Sequence, residues 1–211
     1  MPDPDKLALF VPAALLLLVV PGPAVLYIVT QSVTRGRRAG LVSMLGVQTG
    51  GLVHVAAAAV GLSALLASSA VAFSVVRYAG AAYLVFLGAR RILARPHHAT
   101  VGAPEARSAA RLFRQGVVVN VLNPKTALFF LAFLPQFVDR SGGSVTLQLL
   151  VLGLLFIALA TLSDGSYALL AGTAGQRLRR SQRLLRRERY VSGGVLVGLG
   201  LAAAVSGSKG S

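Results

Sequence analysis

Val20-Pro21-Gly22-Pro23 and Leu122-Asn123-Pro124-Lys125 interrupt two apolar runs, each long enough to cross a bilayer. A proline removes a backbone donor and clashes with the preceding turn, which leaves carbonyls without partners. Hydrocarbon cannot satisfy them, so such an interruption survives only beside protein or a water-filled cavity. Paired interruptions in corresponding halves of a chain point to the substrate site of a secondary transporter. The two motifs therefore predict one shared polar site inside a membrane protein.

The rest of the composition agrees. The 211 residues are 55% hydrophobic and 13% charged, with a mean hydropathy of +0.72; soluble domains carry about 25% charged residues. Lys and Arg number 21 against 6 Asp and Glu, a formal charge of +15. The basic residues cluster between apolar runs: Arg35, Arg37 and Arg38; then Arg90, Arg91, Arg95, Arg107, Arg111 and Arg114; then Arg177 through Arg189. That is the positive-inside pattern, which sets orientation and suits contact with anionic lipid headgroups. Interleaved aromatics are missing from these stretches, so nucleic acid is not an expected partner. The chain has no cysteine, which excludes disulfides and thiolate ligands. Nothing around Met1-Pro2-Asp3-Pro4-Asp5-Lys6 reads as a cleavable signal, and the first apolar run is expected to stay as a membrane helix.

Stretches of about 20 apolar residues occur six times, at Leu7 to Gln31, Leu41 to Ala67, Ala70 to Ala89, Val117 to Val138, Leu147 to Thr173 and Val191 to Val205. The expected fold is an all-α integral membrane protein of six transmembrane helices, with helices 1 and 4 broken at Pro-Gly-Pro and Asn-Pro-Lys. Its parts are a three-helix repeat over 1–89, a basic cytoplasmic linker over 90–116, a second repeat over 117–206 and a flexible tail over 207–211. The arginine clusters follow the first, third and fifth runs, which puts both termini outside. Three helices is an odd number, so the second repeat enters the membrane inverted, and the halves can be related by a two-fold axis in the membrane plane. Both breaks then fall near mid-depth, at about 1.5 Å of rise per residue. Their downstream sequences also rhyme: Ala24-Val25-Leu26-Tyr27 through Gln31 beside Thr126-Ala127-Leu128-Phe129 through Gln136.

Charges inside a membrane cost about 2.5–3.5 kcal/mol each on insertion scales, so each calls for a partner or a role. Lys125, Asp164 and Arg77 qualify. Lys125 and Asp164 suggest an ion pair, either a static clamp between helices or a group that handles substrate and protons. Arg77 either snorkels to the outer interface or faces a pore. Gly46-x-x-x-Gly50 admits a close helix neighbour. His54 reads as an interhelical hydrogen bonder or a proton relay. Gln48, Asn120 and Tyr27 are secondary cavity candidates, and Gln31, Thr161, Ser163 and Ser166 either join them or bond neighbouring helices. His97-His98 lacks the further ligands a metal site needs. No cofactor motif, nucleophile elbow or Walker loop is present, which argues against an enzyme and against nucleotide-driven transport.

Pro21-Gly22-Pro23, Tyr78-Ala79-Gly80-Ala81-Ala82-Tyr83-Leu84-Val85-Phe86-Leu87-Gly88 and Asn123-Pro124-Lys125 together resemble the LysE/RhtB family of bacterial amino-acid exporters over nearly the whole chain. Arg77 departs from the pattern, where a lysine is frequent, but keeps the charge. The resemblance implies secondary active export of amino acids or close derivatives across the bacterial inner membrane, driven by protons. Pro21, Gly22, Pro23, Asn123, Pro124, Lys125 and Asp164 are then the substrate-site candidates, and Asp164 and His54 the proton-coupling candidates. The expected mode has helix-end backbone donors and Lys125 taking the substrate carboxylate, with Asp164 and the freed carbonyls taking its ammonium. A passive polar-solute channel and a membrane scaffold are the alternatives. The glycine-rich helices admit a homodimer, or serve packing within one subunit.

Overall fold

The computed structural model describes residues 3–62, 70–93, 108–139 and 143–178, together with 194, 197, 198 and 201. The predicted sixth span at 191–205 lies mostly outside them, and His97-His98 and the tail at 207–211 lie entirely outside. Among the described residues every regular element is helical.

Asp3 opens α1 (Pro4–Val19), its carboxylate accepting the Asp5 amide at 2.8 Å. Pro4 sits in the first turn, where a missing N–H costs nothing. The helix stops at Val20, whose backbone is extended (φ −78°, ψ 112°), and α2 (Pro23–Arg35) starts afresh on Pro23 with its axis turned by 52°. Gly36, at φ +86°, supplies the left-handed residue that turns α2 directly into α3 (Arg37–Ala57). A π-helical turn, Ala58–Leu62, extends α3. α4 spans Ala70–Leu93, and the side chain of Arg77 on it lies outside the described set.

Ser108 caps α5 (Ala109–Val121) by accepting the Arg111 amide. After Leu122 and Asn123 the chain re-enters a helix as α6 (Pro124–Leu128), which continues through a π turn, Phe129–Phe133, and a 3-10 turn, Leu134–Phe137. The bend between α5 and this composite helix is 45°. α7 (Val145–Leu178) is unbroken. Helical structure thus extends at Ala70–Leu93 and from Ala109 into the predicted linker, so Arg90, Arg91, Arg111 and Arg114 stand on helix ends. Hydropathy marks only the apolar part of a helix and misses ends that project beyond it.

Arg37–Gly61 and Val145–Thr173 are long and apolar enough to cross a membrane, with mean hydropathies of 1.5 and 2.5. Each bent pair passes the same test when its two pieces are taken together, for up to 4 spans among the described residues. α3 packs chiefly against α5 and α7. The contact with α5 is backbone on backbone: a Cβ added at Gly46 would lie 2.1 Å from the Phe113 carbonyl oxygen, at Gly50 2.6 Å from that of Val117, and at Gly116 2.5 Å from that of Ser43. A core of Phe10, Phe129, Phe130, Phe133 and Phe156 fills the space between α1, α6 and α7.

Candidate functional site

In an α-helix the carbonyl of residue i accepts from the N–H of residue i+4. Pro21, Pro23 and Pro124 have no N–H, so the carbonyls of Leu17, Val19 and Asn120 lose their helical partners. Each accepts from a side chain elsewhere in the fold, and Asn120 O also accepts the backbone N–H of Asn123 at 3.0 Å. Lys125 Nζ donates to Leu17 O at 2.7 Å, the Tyr167 hydroxyl to Val19 O at 2.8 Å, and His54 Nε2 to Asn120 O at 2.9 Å. A carbonyl oxygen only accepts, so His54 carries its proton on Nε2. The Lys125 ammonium donates to Val20 O as well. The two breaks therefore meet: the cation that follows one of them sits on the open carbonyls of the other. Gly22 makes room for this, since a Cβ there would stand 2.9 Å from Lys125 Cδ.

Around this junction Asn123 caps α6, its Oδ1 accepting the Lys125 amide at 3.1 Å. Asn123 Nδ2 donates to Thr126 Oγ1 at 3.0 Å and to Asn120 Oδ1 at 3.4 Å. Thr126 Oγ1 donates to Asn120 Oδ1, and Asn120 Nδ2 reaches across to Val47 O at 2.7 Å. On α7, Asp164 is 4% exposed. Its Oδ2 accepts from Gln48 Nε2 at 2.9 Å, whereas its Oδ1 is buried without a hydrogen-bond partner. The Lys125 charge acts on it through space.

A small, partly open cavity of about 40 Å³ lies between the breaks, with Gly22, Gln48, Asn120, Asn123, Lys125 and Asp164 on its wall. Ala24 and Val25, the first residues of α2 that own an N–H, also line it, and no side chain caps this helix start. First-turn amides have no intrahelical acceptor and carry the positive end of the helix dipole. The cavity wall thus brings together an uncapped helix start, a cation and a carboxylate whose buried Oδ1 has no hydrogen-bond partner.

Pro21, Pro23 and Pro124 shape the site by what they remove and do not stand on its wall. Tyr27 points elsewhere, its hydroxyl donating to Leu112 O at 2.8 Å. His54 is an interhelical hydrogen bonder, its ring stacked on Phe130 with centroids 5.9 Å apart. Gln31 accepts from Arg35, while Thr161 and Ser166 bond back to their own helix. The carbonyls of Leu17, Val19 and Val20 accept from Lys125 and Tyr167, because a buried carbonyl takes the nearest donor the fold supplies. Tyr167 and Thr126 were not singled out from sequence. Tyr167 stands three residues after Asp164, one turn along the same face of α7, and that spacing was the available signal.

A family model described as "LysE type translocator" matches residues 15–207. The chain belongs to the LysE family. This LysE-family chain is 33% identical over 187 residues to an uncharacterized membrane protein of Vibrio cholerae, covering 88% of this chain and 90% of the other. It is 34% identical over 156 residues to a protein of Salmonella typhi named homoserine/homoserine lactone efflux protein, covering 74% and 75%. A leucine efflux protein of Enterobacter sp. is 32% identical over 146 residues, 68% of each chain. No solved structure matches the chain. The resemblance carried by the Pro-Gly-Pro and Asn-Pro-Lys motifs is therefore a family relationship. The family model's description and the names of the Salmonella and Enterobacter relatives describe transport rather than catalysis.

Proposed function

We propose that this chain is a secondary active exporter of amino acids or close derivatives in the bacterial inner membrane, and that it binds its zwitterionic substrate in the cavity between the two bends. The observation that carries this reading is the pairing on one cavity wall of an uncapped α2 N-terminus with the partnerless Oδ1 of Asp164. The substrate carboxylate would accept from the amides of Ala24 and Val25 with Lys125 beside it, and its ammonium would donate to Asp164. The efflux names of the Salmonella and Enterobacter relatives support the direction of transport.

In this reading each bent pair is one broken span, six spans form two inverted repeats, both termini face outside, and the repeats rock about the site to give alternating access. The basic loops then rest on anionic lipid at the cytoplasmic face. Protons are the coupling ion, and Asp164 is the coupling residue: a proton on it removes the negative charge that holds the substrate ammonium. His54 is engaged with the Asn120 carbonyl and does not line the cavity.

Counterflow and efflux in proteoliposomes, across a panel of amino acids and with or without an imposed proton gradient, test the proposal. Asp164→Asn is expected to slow transport about tenfold to a hundredfold, since a hydrogen bond to a charged group contributes about 1.5–3 kcal/mol. Undiminished export by that variant removes Asp164 from the mechanism. A channel would conduct without saturating and ignore the pH gradient, and a scaffold would tolerate Pro21, Pro23 and Pro124 replaced by leucine.

A further inference from the structure

We infer that the cavity selects amino acids with an uncharged aliphatic side chain, an inference that rests on the zwitterion site just proposed. It follows from which polar groups on the wall are already spent. Asn120 uses its Oδ1 on Thr126 and Asn123 and its Nδ2 on Val47 O. Asn123 uses its Oδ1 on the Lys125 amide, and Gln48 gives its Nε2 to Asp164. Among the described residues, the charged side chains on the wall are Lys125 and Asp164, and the substrate headgroup engages both.

Apart from the Gln48 amide oxygen, what remains for the substrate side chain is apolar and carries no charge: Val25, Val47, Phe156, Ile157 and Ala160. This part of the wall is held firmly. Phe156 stacks on Phe129 with ring centroids 4.5 Å apart and meets Phe130 edge-on at 5.4 Å. Ile157 lies so close to α3 that a Cβ on Gly51 would be 2.5 Å from its Cδ1. A charged side chain placed here sheds its water and finds no counter-charge, which a buried site does not tolerate. An aliphatic one exchanges water for contacts, and the fixed walls limit its size. Ala160, one turn before Asp164 on α7, is the small residue that leaves room, and we assign Ala160 and Ile157 as specificity-determining positions.

The test is counterflow by the full chain in proteoliposomes with alanine, valine and leucine set against lysine, arginine and glutamate. The aliphatic substrates are expected to exchange at least about tenfold faster, the discrimination expected when a pocket must strip a charge of water. Ala160→Leu should lower the leucine-to-alanine ratio by about tenfold and Ile157→Ala should raise it, since one methylene in an apolar pocket changes selectivity about 10–200-fold. Exchange of lysine, arginine or glutamate at the rate of leucine overturns the side-chain assignment while leaving the zwitterion site standing. A leucine-to-alanine ratio unmoved in both variants, with transport retained, overturns it too. If the unmodified chain exchanges no amino acid, the exporter reading falls and the inference with it.

Discussion

Lys125 joins two distant parts of the chain through one ammonium group, which donates to the Leu17 carbonyl left open by Pro21 and to the Val20 carbonyl beside it. Replacing it with methionine keeps most of the volume and removes the donor. Each carbonyl stranded in this way costs about 1–3 kcal/mol, so Lys125→Met is expected to lower the thermal unfolding temperature in detergent sharply as well as to weaken transport. Tyr167→Phe and His54→Phe each strip one carbonyl of its side-chain donor, Val19 and Asn120 respectively. Interhelical hydrogen bonds in membrane proteins average about 0.6 kcal/mol and reach about 1.7, so both variants should melt measurably lower than the parent and above Lys125→Met. Loss of the carbonyls was legible in the sequence, since a missing N–H belongs to the proline itself. The identity of their donors was not, because the three partners lie 108, 148 and 66 residues away along the chain.

The crossing of α3 on α5 depends on Gly46, Gly50 and Gly116, which bring two backbones together without side chains between them. Gly46→Val would drive a branched side chain into the Phe113 carbonyl, which a Cβ alone already approaches to 2.1 Å. Overpacking of this kind costs about 1–3 kcal/mol or more, and the expected outcome is an early-melting or aggregating protein on size-exclusion chromatography. A Gly46→Val variant with unchanged elution and melting would show that the helices part without penalty. The spacing Gly46-x-x-x-Gly50 predicted close approach, and sequence could not say which helix approaches. Helix ends were the least legible feature. α5 begins at Ala109, before the apolar run starts at Val117, because capping by Ser108 and not hydropathy decides where a helix begins.

Over the whole molecule, the arrangement of charge and the absence of cysteine make topology directly testable. Arg38 and Ser144 are both exposed, the former after the first bent pair and the latter at the start of α7. With both termini outside, Ser144→Cys is expected to react with a membrane-impermeant thiol reagent on intact cells, and Arg38→Cys only after permeabilisation. The reverse pattern would invert the orientation and with it the face from which the proposed exporter would load substrate.

The amino-acid order alone determined how apolar the chain's runs are, which carbonyls a proline deprives of a partner and to which family the chain belongs, because hydropathy, a missing proline N–H and a motif are properties of the covalent chain. Only the tertiary structure decided how the interruptions are used. Lys125, Tyr167 and His54 close the open carbonyls, and what stays available is the Oδ1 of Asp164 and the first amides of α2. The physical reason is that a buried polar group is satisfied by whichever donor packing brings within reach, and packing between α1, α3, α6 and α7 is set by contacts far apart in sequence.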